Sequence, residues 1–288
     1  MRIQHALTFD VEDWYQGFIY RQIDGWQKYG SREQQSIQRI LDLLSECGTK
    51  ATFFLLGSYA EQHPEVARSL VAAGHEIATH GYAHVPIPQH TRASFRDDLR
   101  RSIDVLQQIT GKRVSGHRAA SWSVNRSQLW IFETLIEEGI EYDSSVFPTR
   151  LHSYGLPRSP SYPYRLSLAP AKSIYEFPAQ VLRLALSRVP AAGGFYLRAL
   201  PYRAAQLALM QSERSGHSGM VYLHPYDIDD QVPRLKVPFA FRVIRYYNLD
   251  KTVHRLKKLL ASFHFSSLRE IIDSLHNTMP DITISQIE

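Results

Sequence analysis

Cysteine is nearly absent: the 288 residues contain a single one, Cys47. One thiol excludes an intramolecular disulfide framework and any cysteine-rich metal site. No apolar run approaches the roughly 18 residues that a membrane-crossing helix requires. The opening stretch, Arg2 to Phe9, reads as a strand and lacks the basic-then-apolar pattern of a secretory leader. These absences lead to the expectation of a cytoplasmic protein without a transmembrane segment. Dense basic runs are also missing. Arg96 to Arg101 and Lys251 to Lys258 interleave with apolar residues at helical spacing, as solvated helix faces do. Lys+Arg exceed Asp+Glu only by 33 to 28, so nucleic acid is not an expected partner. A mildly positive surface suits instead an anionic glycan or a lipid-phosphate carrier, with peripheral membrane contact.

What is present is an ordinary globular balance, 44% hydrophobic and 21% charged, long enough for one large α/β domain over residues 1–288. Strand-like and helix-like segments alternate. Ser31 to Cys47 carries Ile37, Ile40, Leu41 and Leu44 on one helical face and stops at Gly48. Thr52–Leu56, His75–Thr79, Val114–Arg118, Ile140–Ser144 and Met220–Leu223 read as buried strands, each separated from the next by helical pattern except across 147–194. That stretch holds Pro148, Pro157, Pro160, Pro163, Pro170, Pro178 and Pro190, and reads as a long ordered excursion over the mouth with one strand at Ser173–Phe177. Amphipathic helices are expected at 249–261 and 267–275, so that residues 227–288 form a helical extension on a 1–226 core. Repeated β-α units imply a parallel sheet, and this many suggest a closed or nearly closed barrel.

Reactive side chains recur where the strands end. Asp10, Glu12 and Asp13 follow the first strand, His80 and His84 the third, Arg118 and Asp143 the next two, and His224 the strand Met220–Leu223. In a parallel barrel those ends share one mouth, where active sites sit. His80 and His84 at i, i+4 would put two imidazoles on one face of a helical turn. With a carboxylate from a neighbouring strand they would leave coordination positions open, the arrangement of a catalytic rather than structural ion. Asp10 and Glu12 share a strand face, and Asp13 can replace Glu12 as the ligand if the strand ends early. Arg118 would orient Asp10. His117 points to the opposite face, and Asp143 or another acid would raise the pKa of His224. Trp122, Tyr154, Tyr162 and Tyr226 are candidates to stack on a substrate, although each aromatic individually is an ordinary core residue.

Taken in order, these motifs resemble the NodB-type polysaccharide deacetylases, carbohydrate esterase family four, from the first strand to His224. Thr8-Phe9-Asp10 is similar to the family's first motif, His80-Gly-Tyr-Ala-His84 to its metal motif, Arg118-Ala-Ala-Ser121 to the motif whose Arg lies beside the base, Asp143-Ser-Ser145 to the fourth, and Leu223-His224-Pro225 to the last. The resemblance implies a distorted (β/α) barrel and removal of N-acetyl groups from a glycan, free or linked to a lipid carrier. It implies Asp10 as base, His224 as acid, and a Ser121 backbone N–H facing the oxyanion. The ion would be Zn²⁺, or Co²⁺, Ni²⁺ or Fe²⁺, held by His80, His84 and Glu12 or Asp13, with Glu12 favoured. Two departures stand out: the acids are spaced as Asp10-Val-Glu-Asp13 where the family has adjacent ones, and Ala120 replaces a proline. The spaced acids look like a divergent branch that includes cyclic-amide hydrolases. Phe9–Trp14, Ala192-Gly-Gly-Phe-Tyr196 and His224-Pro-Tyr-Asp-Ile228 resemble an exopolysaccharide-associated subgroup. Competing readings are an allantoinase-like small-amide hydrolase, a catalytically silent glycan-binding barrel, and a two-His-one-carboxylate Fe(II) oxygenase, which the β-α alternation disfavours.

Overall fold

The computed structural model describes residues 3–15, 29–150 and 155–288; Arg2 and Tyr154 lie outside them. The alternation of elements becomes a mostly parallel sheet wrapped by helices. β1 (Gln4–Val11) is flanked by β10 (Met220–Leu223) and β2 (Thr52–Leu55), followed by β3 (Glu76–Thr79), β4 (Gly116–His117) and β5 (Tyr142–Asp143). Every pairing along that path is parallel, as is the pairing of β5 with β7 (Lys172–Glu176). Continuous apolar strands such as Thr52–Leu55, buried at all four positions, suit a sheet covered on both faces. Between them run helices such as Glu33–Glu46, Pro64–Ala72 and Arg92–Thr110. The last starts in a Thr91/Ser94 capping box and stops at Gly111 in the left-handed conformation, where a β-carbon would be strained.

The hydrogen-bonded path does not return on itself. It runs from β10 through β1 to β5, then β7, β6 (Tyr164–Ala169) and β12 (Asp281–Thr283), so a distorted, open barrel replaces the closed ring. The proline-rich excursion holds more structure than one strand. β6 and β7 form an antiparallel hairpin that extends the sheet, and β8 (Val181–Arg183) with β9 (Arg188–Pro190) makes a separate two-stranded sheet. Nor is the C-terminal segment only helical. β11 (His264–Ser266) pairs with β1 and β12 pairs with β6, which stitches residues 227–288 into the barrel. Those strands are three residues long, too short for a period-2 pattern to be read.

Candidate active site

Because β1, β2, β3, β4, β5 and β10 are parallel, their C-terminal ends lie along one edge. Asp10 is the penultimate residue of β1 with Glu12 just past the strand's end, His80 follows β3, Arg118 follows β4 and His224 follows β10. The side chains converge there: Asp10, Glu12, His80 and Arg118 are all buried. Donor atoms of Glu12, His80 and His84 lie within 4.8 Å of one another, and Glu12 Oε2 is 2.6 Å from His84 Nε2.

The two histidines do not sit on a helical turn. Residues 80–84 form a loop in which Gly81 (φ 78°) and His84 (φ 56°) are left-handed. The loop is pinned from outside: Asp98 accepts from the Tyr82 and Ala83 backbone N–H groups (2.7 and 3.1 Å), and Ser102 Oγ donates to the Gly81 carbonyl (3.0 Å). His80 Nδ1 donates to the Arg118 carbonyl oxygen at 2.8 Å, which leaves Nε2 as its open nitrogen. Burial pushes the His80 imidazole down to about 4, so it is neutral at physiological pH, as a ligand must be. Burial alone would raise the Glu12 carboxyl, yet His84, His224 and His80 around it hold it well below the ordinary carboxylate range. One ionised carboxylate and two imidazoles, with no fourth protein donor among the described residues, fit a divalent transition ion with open positions.

Asp13 does not join this set. Its Oδ1 accepts the Trp14 backbone N–H at 2.7 Å, and the carboxyl packs against Ser31 and Arg32, at the start of the Glu33–Glu46 helix. Burial raises it. The chain turns after Val11, so Glu12 keeps the site-facing side while Asp13 falls behind it.

On one flank, Asp10 Oδ1 accepts from Arg118 Nη1 at 2.5 Å. Arg118 is fully buried and also donates to Thr8 Oγ1, Ser144 O and Ser144 Oγ, while its guanidinium lies 4.0 Å from the Phe54 ring centroid and 4.6 Å from that of Trp122. Every direction in which the fork could turn is taken. On the other flank stands His224, with Nε2 at 3.4 Å from Glu12 Oε1 and 4.0 Å from Asp10 Oδ2. Its Nδ1 and backbone N–H both meet Asp227 Oδ2, at 2.9 and 3.0 Å. Burial lowers the His224 imidazole, but the hydrogen bond and charge of Asp227, with Glu12 and Asp10, bring the net shift upward. Asp227 in turn would be raised by burial and is held well below the carboxylate range by buried Arg198, 3.0 Å away, and by His224.

Of the two possibilities for the acid beside His224, Asp143 or another, the geometry has the other, Asp227. Asp143 Oδ1 is 2.6 Å from His117 Nδ1, on the sheet face that Phe95 covers, and accepts from Ser145. Its side chain points away from His224 because side chains alternate along a strand, and Arg118 and Ser144 occupy the inward face. Asp227 and Arg198 escaped the reading of the sequence. A histidine followed by proline and then an acid at i+3 is a capping-box spacing, and that signal was available in His224-Pro-Tyr-Asp.

Tyr226 stacks on His224 (ring centroids 4.5 Å apart, 8° between planes) and donates to Glu12 Oε1 at 3.1 Å. Trp122 is buried between Phe147 and Tyr222, so it floors the site rather than offering an open ring, and its Nε1 has no hydrogen-bond partner among the described residues. Ser121 is exposed and left-handed (φ 56°), on the turn that leaves β4. Tyr162 is stacked on His217 at 4.2 Å and does not reach the cluster. The Gly193-Gly194 pair closes the excursion onto β10: a β-carbon on Gly193 would come 2.1 Å from the Tyr222 ring, so only glycine lets the chain pass.

Residues 5–135 match the family model of polysaccharide deacetylases, and residues 144–273 match a family described as a domain of unknown function, DUF3473. A peptidoglycan deacetylase of Helicobacter pylori is 32% identical over 110 residues, 38% of this chain and 36% of that protein. A peptidoglycan-N-acetylglucosamine deacetylase of Bacillus cereus is 33% identical over 73 residues, 25% of this chain and 26% of that protein. The chain thus spans about a third of the length of the curated relatives it matches. A crystal structure from Mycobacterium smegmatis, provisionally assigned as a polysaccharide deacetylase, covers 98% of this chain and 93% of its own at a TM-score of 0.67 and 21% identity. That likeness concerns the fold.

Proposed function

From a chain whose residues 5–135 match the polysaccharide deacetylase family model, we propose a metal-dependent hydrolase that removes N-acetyl groups from a polysaccharide or glycan precursor. One observation carries the reading: an Asp–Arg pair and a His–Asp pair flank a Glu-His-His donor set on one barrel edge. Glu12, His80 and His84 would hold the ion, and Zn²⁺ suits the donors, as do Co²⁺, Ni²⁺ and Fe²⁺. When bound, such an ion supplies Lewis acidity towards a carbonyl oxygen and towards water.

The protein's own groups divide the proton work. Asp10, fixed by Arg118, presents Oδ2 to take a proton from the attacking water. As water oxygen bonds to the acetyl carbon, the Ser121 N–H, in the role the family resemblance implies, would donate to the growing oxyanion. His224, protonated and steadied by Asp227, gives its Nε2 proton to the departing nitrogen as the C–N bond breaks, leaving acetate and a free amine. Tyr226 fixes the imidazole plane by stacking.

Acetate release from a panel of N-acetylated oligosaccharides, with and without chelator, tests this together with metal content. About one ion per chain and chelator-sensitive acetate are expected. Bound metal with turnover of small cyclic amides alone would refute the glycan substrate. No metal and no turnover would make this a silent binding barrel.

A further inference from the structure

The helix Phe239–Tyr246 is amphipathic the wrong way round for a soluble surface. Its buried residues are Arg245 and Tyr246, while Phe239 is 71% exposed, Phe241 38% and Ile244 48%; Tyr247, just past its end, is 48% exposed. Scattered single apolar residues are normal on a surface, but a contiguous group on one short helix marks a contact site. An ordinary surface helix turns such residues inward.

This one cannot roll over, because polar anchors hold its other side. Arg198 donates to the carbonyls of Ile244, Arg245 and Tyr247, and Arg245 donates to the Trp14 carbonyl while lying 3.6 Å over the Tyr226 ring. Within the segment that carries the helix the charge is of one sign. Between Gln231 and Asn248 the charged residues are Arg234, Lys236, Arg242 and Arg245, with no acid among them. Arg234, Lys236 and Arg242 are exposed, and Arg242 lies 5.4 Å over the Phe239 ring.

We propose that the Phe239–Tyr246 helix is a peripheral membrane-docking surface that inserts Phe239, Phe241 and Ile244 among the lipids of an anionic bilayer. Apolar residues in the headgroup–acyl boundary with flanking basic residues in the headgroup layer is the geometry of an interfacial helix. A second copy of the chain fits less well. A two-fold contact sets a patch on its own image, so Arg234, Lys236 and Arg242 would face like charge with no acid in the segment to pair. Arg198 also holds Asp227 and Arg245 lies over the Tyr226 ring, so the docking helix is anchored on residues that neighbour His224. The inference does not depend on which substrate the site takes.

The test is co-sedimentation of the full chain with large vesicles of phosphatidylcholine, with and without phosphatidylglycerol. Wild type should pellet with the anionic vesicles, and high salt should weaken but not abolish this. Phe239→Ser with Phe241→Ser should lower vesicle partitioning about tenfold or more. Both positions are exposed, so the thermal transition and acetate release from a soluble oligosaccharide should not change. Wild type left in the supernatant at every composition would overturn the proposal. So would vesicle binding that the double variant retains, or self-association that the double variant abolishes in the absence of any vesicle binding.

Discussion

Replacing Arg118 by methionine removes a fully buried guanidinium while filling nearly the same volume, so the cost is electrostatic rather than a cavity. The change strips Asp10 of its 2.5 Å partner and Thr8, Ser144 O and Ser144 Oγ of their donors, within a carboxylate environment only 2% exposed. Removing one member of a buried ion pair leaves an uncompensated charge and costs about 3–5 kcal/mol. With a urea slope of about 3 kcal/mol per molar for a chain of this size, the unfolding midpoint should fall by roughly 1–1.7 M at constant slope. Asp10 then loses its fixed orientation, and acetate release should drop by about 10²–10⁴, the range for a misplaced general base. Arg118→Lys restores charge but not the fork that reaches Asp10 and Ser144 together, and should fall between. A methionine variant with an unchanged slope and a midpoint shift below about 0.3 M, or about 1 kcal/mol, would refute the claim that this pair organises the barrel mouth.

Other expectations follow from the same geometry. His84→Ala should lower bound divalent metal and acetate release together while the fold survives; unchanged metal content by elemental analysis would remove His84 from the donor set. Asp227→Asn keeps the shape but not the charge beside His224, and should reduce turnover about 10–100-fold with little change in substrate affinity. Asp227→Ala should in addition destabilise by about 3–5 kcal/mol, since it strands buried Arg198. Acid stability depends on His5, whose imidazole burial pushes from 6.5 down to about 4; Glu213, 3.5 Å from Nε2 but one-third exposed, does not offset this. The native state keeps His5 neutral while the unfolded chain takes up the proton, so stability present above pH 6.5 is lost as pH falls towards 4. That is about 3 kcal/mol at about 1.4 kcal/mol per pH unit. His5→Asn retains an acceptor for the Gly219 N–H, and should make the fall of the urea midpoint between about pH 7 and about pH 5 shallower, the remainder coming from buried His75 and His80. A variant as acid-sensitive as wild type would refute this.

Much of the architecture was legible because its signals are local. The run Met220–Leu223 and the alternation of apolar strands with capped helices fix a parallel sheet, and a parallel sheet puts strand ends on one edge. From that follows the gathering of Asp10, Glu12, His80, Arg118 and His224. Three things were decided only by the tertiary structure. Whether Glu12 or Asp13 faces the histidines depends on where the chain turns after Val11, a matter of one residue that periodicity cannot resolve. The partner of His224 depends on which face of β5 looks inward: alternation sends Asp143 to His117, and the short helix after Pro225 brings up Asp227 instead. The inverted Phe239–Tyr246 helix looks like any amphipathic segment in sequence, because hydrophobic periodicity records that a helix has two faces and not which one meets the core. That choice was made by buried Arg198 and Arg245, whose carbonyl partners exist only once the chain has folded.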